Sequence, residues 1–251
     1  MDLKKKHRPQ RFEHLAQGLS DPIVQAITRT LEAGRHIQAT CLIGTYGTGK
    51  TSIARLIGKR NACTNKERHG FEPCGQCEGC REIERNPGGA EFHGYIEYDA
   101  PVETSMLISN LRHELLWGLS KANSSRVIML DEFHRVKDQE KFDKVIEDAN
   151  DGVQFVLCVS DAEALNPAIA SRCTKRLISI PTPQASIAHV QRIADAEGKT
   201  LAASEADMIV STANCIPRHY VKLLGEVLNF CNGEASIPKD VVALACKHFV
   251  P

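Results

Sequence analysis

Long apolar runs are missing from this 251-residue chain: no stretch approaches the roughly 18 apolar residues that a membrane helix requires. The longest runs, such as Val127 to Leu130 and Phe155 to Val159, are strand-sized. No membrane partner is expected. The N-terminal MDLKKKHRPQ starts basic but is followed by neither an apolar segment nor a small-residue cleavage site, so it does not read as a secretory signal and a cytoplasmic address follows. An excess of one charge is missing too. The 31 Lys plus Arg match 31 Asp plus Glu, for a formal net charge of +0, so nucleic-acid binding must come from local basic patches. Internal repeats and low-complexity tracts are absent, and 42% apolar with 25% charged residues excludes disorder and collagen-like repeats. What remains is a globular chain of one large domain, or a large one plus a small one.

The patterning predicts helices and strands in alternation. An amphipathic helix runs from Pro22 to Ala33 behind Asp21 as N-cap and stops at Gly34. Ala39 to Ile43 is an apolar run ending in Gly44, and Ile53, Ala54, Leu56 and Ile57 recur at helical spacing within Lys50 to Arg60. A cysteine-rich insertion spans Asn61 to Asn86. Beyond it, Gly94 to Asp99, Arg126 to Leu130, Val153 to Val159 and Lys175 to Ile180 read as strands. Between them Ser105 to Leu119, Lys137 to Asn150 and Pro167 to Arg172 read as helical. This alternation implies a parallel sheet in an α/β fold. After the Pro181 to Pro183 turn only helices are expected: Gln184 to Glu197, Ser204 to Thr212, Pro217 to Phe230 and Pro238 to Phe249, broken at Gly198, 214–216 and 232–233. The expected organisation is therefore an α/β domain over 1–180 and a small helical domain over 181–251.

Residues Gly44-Thr45-Tyr46-Gly47-Thr48-Gly49-Lys50-Thr51 fit G-x-x-x-x-G-K-[ST], set between an apolar strand and an amphipathic helix as the motif requires. Glycines let backbone N–H groups turn inward onto phosphate oxygens, and the helix N-terminus adds its dipole. ATP is the expected ligand, with Lys50 bridging the β- and γ-phosphates, the Thr51 hydroxyl on Mg²⁺, and Ser52 one step along. A second signal is Asp131-Glu132, two acids at the C-terminal end of an apolar strand, where open α/β sheets place ligand chemistry. Asp131 suits Mg²⁺ through water, and Glu132 suits a general base that polarises an attacking water. Such acids can also simply cap the next helix.

Ten cysteines would suggest disulfides in a small secreted chain, but here Cys63, Cys74, Cys77 and Cys80 crowd together, with Gly75 and Gly79 allowing tight turns. Four thiolates suit tetrahedral Zn²⁺ in a closed site with no open position for water, hence no catalysis. An iron–sulfur cluster shares the C-x₂-C-x₂-C spacing, although the following Cys-Pro is absent, and His69 is an alternative to Cys63 as fourth ligand. Cys41, Cys158, Cys173, Cys215, Cys231 and Cys246 stand mostly among apolar or small residues and read as small buried hydrophobes.

Together these segments resemble the ATPase core of the bacterial DNA polymerase III gamma/tau family, the motor of the sliding-clamp loader and a member of the AAA+ class. The resemblance runs through His7 to Phe12 (HRPQRF), 47–59 (GTGKTSIARLIGK), Pro73 to Glu84 (PCGQCEGCREIE), Asp131-Glu132 and Ser171-Arg172-Cys173, and reaches Arg218, so it spans nearly the whole chain. It implies an AAA+ P-loop domain with a zinc-binding insertion and a helical lid. It also implies that Cys63, Cys74, Cys77 and Cys80 bind zinc, that Ser160 is the polar sensor near the γ-phosphate, and that Arg172 is an arginine finger reaching a neighbour's ATP. Arg218 becomes the lid sensor on the subunit's own nucleotide, and Arg8 with Pro9 lines the adenine end. Arginine suits such roles because its fork stays charged and matches phosphate oxygens. The implied partners are other clamp-loader subunits or copies of this chain, a sliding clamp and primer-template DNA. Another AAA+ motor, such as a helicase loader, and an ATP-responsive assembly module without turnover are the alternative readings. The chain departs from the family in having Cys215-Ile216-Pro217 before Arg218 where a Gly-Ser-Leu-Arg tetrad is usual, and Glu147 to Gly152 where Glu-Glu-Pro-Pro is usual. The family's collar domain would begin about Pro251, so an excised core or a divergent phage or mobile-element form without a collar is expected.

Overall fold

Three strands too apolar to face water on either side, β1 at Ala39–Ile43, β3 at Arg126–Asp131 and β4 at Val153–Val159, form the middle of one five-stranded parallel sheet completed by β2 at Tyr95–Asp99 and β5 at Thr174–Leu177. The computed structural model describes residues 2–35, 37–89, 94–101, 107–111, 126–149, 152–231 and 235–250. Strand order is β2-β3-β4-β1-β5. Register sets Cys41 beside Leu157 and Met129 beside Val156, all fully buried. β5 is one edge, where Lys175 and a 64% exposed Leu177 are exposed and Arg176 is half-buried; charge on an edge discourages further strand pairing. The expected strand to Ile180 ends early because β1 runs out at Ile43 and Gly44 turns away, leaving one last bond from Ile178 N–H to the Ile43 carbonyl.

One sheet face packs Phe133, Phe142, Val145, Ile146 and Ile169; the other packs Val24, Ile27, Ile53, Leu56, Ile57 and Ile83. The helix after β1, Lys50–Ala62, lies in the second layer, whereas the helix after β4, Pro167–Arg172, lies in the first. Adjacent strands whose connections leave toward opposite faces open a crevice at their C-terminal ends, the place where such sheets bind ligands. The helix expected from Lys137 forms at Lys141–Glu147, after turn residues that tie Gln139 to the Ala164 carbonyl. Of the helix expected over Ser105 to Leu119, 107–111 are helical and the remainder lies outside the described residues, as do Asn150 and the break at 232–233.

Beyond β5 the elements are the helices Pro183–Ala196, Ala203–Thr212, Pro217–Phe230 and Lys239–His248, which share an apolar cluster centred on Ile193, Ile209, Tyr220 and Leu224. Pro at the first turn starts two of them with its φ already helical. Leu3 joins this cluster and Phe12 and Leu15 join the sheet's second layer, so the N-terminal stretch, basic at its start, is packed against both. Its apolar residues stand singly among charges, so no periodicity announced them. No helix among the described residues is long and apolar enough to cross a membrane.

Gly58, inside the helix Lys50–Ala62, lies flat on the buried Tyr95 ring: a Cβ there would fall 2.1 Å from Tyr95 Cδ2. Helix propensity alone would make Gly58→Ala stabilising by about 1 kcal/mol. The overlap reverses the sign, and a net loss of roughly 1–3 kcal/mol in denaturant unfolding is expected.

Candidate functional site

The crevice is built first by the loop after β1. Gly47 and Gly49 take φ of +87° and +104°, a region that L side chains rarely adopt, and at Gly47 a Cβ would also meet Ile216 Cγ2 at 2.8 Å. Gly44 is needed for space, since its Cβ would lie 2.4 Å from the Ile178 carbonyl oxygen. Lys50, the first residue of the following helix, is only 5% exposed. Its Nζ donates to the Gly44 carbonyl at 2.7 Å, the Thr45 carbonyl at 3.1 Å and Ser160 Oγ at 3.1 Å. Burial pulls the amine's pKa down, against the opposing pull of Cys158, Glu132 and Asp131. Thr48 closes the loop by donating its hydroxyl to the Thr45 carbonyl, and Gln17 Nε2 donates to the Thr48 carbonyl at 2.8 Å.

The end of β3 brings Asp131 to the helix start. Its Oδ2 accepts from Thr51 Oγ1 at 3.1 Å and its Oδ1 from the Glu132 N–H at 3.0 Å. Burial raises the Asp131 carboxyl above its ordinary value, partly offset by those two donors. Glu132 itself sits at φ +50°, left-handed backbone for a residue that is not glycine. Such a conformation costs roughly 1–2 kcal/mol and marks functional positions. Glu132 Oε2 is 3.6 Å from His134 Nε2, and His134 Nδ1 accepts the Ser160 N–H at 3.3 Å. A ring nitrogen that accepts carries no proton, so the ring's N–H is at Nε2, the nitrogen facing Glu132. The sequence reading passed over His134; only its place in Asp131-Glu132-Phe133-His134 hinted at it.

The crevice is a cleft of about 790 Å³ whose walls include Arg8, Pro9, Ser52 and Glu132 together with Lys50, Thr51 and Asp131. Arg218 reaches it from the helical segment, its guanidinium 4.0 Å over the Tyr46 ring and its backbone N–H donating to the Gly47 carbonyl at 3.3 Å. Gly44, Thr45 and Ser160 adjoin it through Lys50. Arg172 stands elsewhere: it pairs with Asp143 Oδ1 at 2.6 Å and Glu147 Oε2 at 3.0 Å on the surface. Arg172, expected at a neighbour's nucleotide, is thus held away from its own chain's cleft.

The cysteines form a second centre. Cys63 ends the helix Lys50–Ala62, Cys80 lies on Glu78–Arg85, and with Cys74 and Cys77 their four sulfurs lie within 4.8 Å of one another. Zinc bonded to four thiolates at about 2.3 Å sets sulfurs about 3.8 Å apart, so the set fits the ion. The cluster takes Cys63 and leaves out His69. Burial acts to raise the Cys74 thiol, but hydrogen bonds from the N–H groups of Gln76 and Cys77 and with the Cys63 and Cys77 thiols together outweigh it and bring its pKa to about 6. Cys41 and Cys158 are buried hydrophobes as expected; Cys173, Cys215, Cys231 and Cys246 are half-buried.

A parallel sheet in this order, with a glycine-rich loop and strand-end acids at its switch point, defines an AAA+ P-loop protein. The family model described as DNA polymerase III, delta subunit, matches residues 19–182, and the chain belongs to that family. It is 33% identical to DNA polymerase III subunit tau of Escherichia coli over 179 residues, 68% of this chain and 26% of that protein. It is 29% identical to subunit gamma of Buchnera aphidicola from Acyrthosiphon pisum, over 94% of this chain and 63% of the relative. The chain therefore spans about a quarter to under two thirds of these relatives. Among solved structures, the Thermotoga maritima RuvB Holliday junction branch migration motor superposes with TM-score 0.67 at 17% identity, covering 98% of this chain and 73% of that one. Domain III of the Thermotoga maritima replication initiation protein DnaA gives 0.62 at 12% identity, covering 96% of both. These two share the fold.

Because asparagine tolerates left-handed backbone, Glu132→Asn is expected to raise stability by up to about 1 kcal/mol. That would lift the melting temperature by roughly 2–4 °C in a chain of this size. A melting temperature at or below that of the parent protein would show that Glu132 stores no strain.

Proposed function

We propose that this chain is an ATPase subunit of a sliding-clamp loader, using ATP binding and hydrolysis to open a clamp and load it on primed DNA during replication. The observation that carries the reading is the meeting of Thr51 and Asp131 at 3.1 Å beside the phosphate loop, which is the donor set for a nucleotide-bound Mg²⁺. In this reading residues 1–180 form the ATP-binding domain, with the zinc insertion at about 61–86, and 181–251 form its lid.

Phosphate oxygens would take over the Lys50 amine from the Gly44 and Thr45 carbonyls, and the loop's N–H groups would surround them. Gly44, Thr45, Gly47, Thr48, Gly49 and Ser52 belong to that cradle. Thr51 and Asp131 would hold Mg²⁺, which when bound neutralises charge on the β- and γ-phosphates. Glu132 takes a proton from water at its carboxylate, with His134 steadying it, and Ser160 reads the γ-phosphate. Arg218 contacts the chain's own nucleotide from the lid, and Arg8 with Pro9 lines its adenine end. Arg172 completes the site of a neighbour, another loader subunit or a copy of this chain; its distance from its own cleft supports that role. Cys63, Cys74, Cys77 and Cys80 hold one structural Zn²⁺. The clamp and primer-template DNA are the partners, bound when assembly aligns local basic patches on a chain of zero net charge.

Lys50→Ala is expected to abolish ATP binding in equilibrium titration. Glu132→Gln is expected to keep binding while phosphate release falls by roughly 10²–10⁴, because the amide preserves size and lacks the base. Hydrolysis by Glu132→Gln at the parental rate would remove Glu132 from the reaction.

Arg172→Ala should bind ATP yet lose on the order of 10³ or more in hydrolysis in the assembled state. Mixed with Glu132→Gln in one assembly, it should regain part of the activity, because some interfaces then join an intact base to an intact finger. A finger acting within its own chain would give no recovery.

A further inference from the structure

Glu72 lies in the loop that Cys63 and Cys74 close, and it is only 5% exposed. Its carboxylate faces back across the molecule, accepting the Phe12 N–H at 2.7 Å and the Glu13 N–H at 3.0 Å. Those amides open the 3₁₀ turn Phe12–His14, whose own N-cap residue, Arg11, makes no side-chain capping bond. First-turn N–H groups have no partner inside the turn, so Glu72 supplies from 60 residues away the cap that the local sequence lacks. Two further contacts tie the same segments together. The Phe71 ring meets the fully buried Phe12 ring edge-on at 6.3 Å between centroids. Lys59 Nζ, on the helix that ends at Cys63, bonds Gln10 Oε1 on one side and, at 2.6 Å, Glu84 Oε2 on the helix that carries Cys80.

Gln10 to Phe12 directly follow Arg8 and Pro9, which wall the cleft. We propose that the metal bound by the four cysteines positions the Arg8–Pro9 wall of the cleft through the adjoining Gln10–Phe12 segment, with Glu72 as the positioning residue, so that metal occupancy sets the affinity for the nucleoside half of the nucleotide. This rests on reading the cleft as a nucleotide site and the cysteines as a zinc site. The physical chain is short. Metal binding to thiolates is coupled to local folding, and a loop released at Cys63 and Cys74 no longer holds its carboxylate against the two amides. Losing a hydrogen bond to a charged group shifts an equilibrium on the order of tenfold or more. The phosphate end, held by Lys50 and Thr51 on the sheet, keeps its own supports.

The test measures equilibrium binding of ATP and of inorganic tripolyphosphate, both with Mg²⁺, to the full chain. Glu72→Ala is expected to retain about one zinc per chain by elemental analysis and to lose roughly tenfold in ATP affinity, with tripolyphosphate changed less than about twofold. Phe71→Leu should show a smaller loss of the same kind. Parent protein stripped with a zinc-selective chelator and returned to Mg²⁺ buffer should show the same selective loss, reversed by added zinc; this arm needs no variant to fold. If the parent binds ATP and the stripped protein binds it equally well, the coupling is overturned while the nucleotide reading stands. If the parent binds neither ATP nor tripolyphosphate, the nucleotide reading falls and this inference with it.

Discussion

A lysine amine buried at the C-terminal edge of an apolar sheet is the constraint around which the molecule is arranged. Lys50 is 5% exposed, and an ammonium taken out of water requires acceptors and opposite charge nearby. The loop meets that demand by turning the Gly44 and Thr45 carbonyls inward, which in turn requires the left-handed Gly47 and Gly49. Ser160 follows the end of β4, and Asp131 ends β3 with Glu132 next to it, so three neighbouring strands must end at the same level. The same contacts leave the amine poised, since an oxygen ligand of higher charge can replace neutral carbonyls without burying anything new.

The second organising element is the N-terminal segment, which stitches the sheet layers, the metal centre and the helical cluster together. Leu3 packs among the C-terminal helices, and Glu197 there pairs with Lys6 at 2.7 Å and with His7. Arg192 donates to the Glu13 and His14 carbonyls, while Gln17 donates to Thr48 in the phosphate loop and to Ser179 beyond β5. Glu72 takes the amides of Phe12 and Glu13. A short polar stretch thereby joins the phosphate loop, the metal-binding insertion and the helical cluster. Arg218 makes a comparable link from the other side by stacking on Tyr46.

One buried group on this seam, His189, is held in one charge state. His189 is pushed down to about 3 by burial and by nearby Arg192, and its Nδ1 lies 2.7 Å from the Tyr220 hydroxyl. A ring that stays neutral between pH 5 and 8 makes this part of the helical cluster insensitive to physiological pH. His134 is confined differently: the Ser160 amide fixes its tautomer, and that geometry couples the tip of β4 to Glu132.

Local chemistry was legible in the residues. Ala39–Ile43, Val153–Val159, Pro167–Arg172 and Pro217–Phe230 have the bounds their patterning predicts, because apolar runs, glycine stops and proline starts act within a few residues. The phosphate loop and the four cysteines were legible for the same reason: their chemistry is written in spacing. Tertiary structure alone decided the rest. It placed Glu72 beneath Phe12, His134 between Glu132 and Ser160, Arg172 on Asp143 and Glu147, and Arg218 over Tyr46. Each of these depends on partners brought together by the sheet and its layers, most of them across dozens of residues, a separation at which periodicity carries no signal. The amino-acid sequence specified which groups could act; the parallel stacking of β1, β3 and β4, driven by burial of both sheet faces, decided which of them meet.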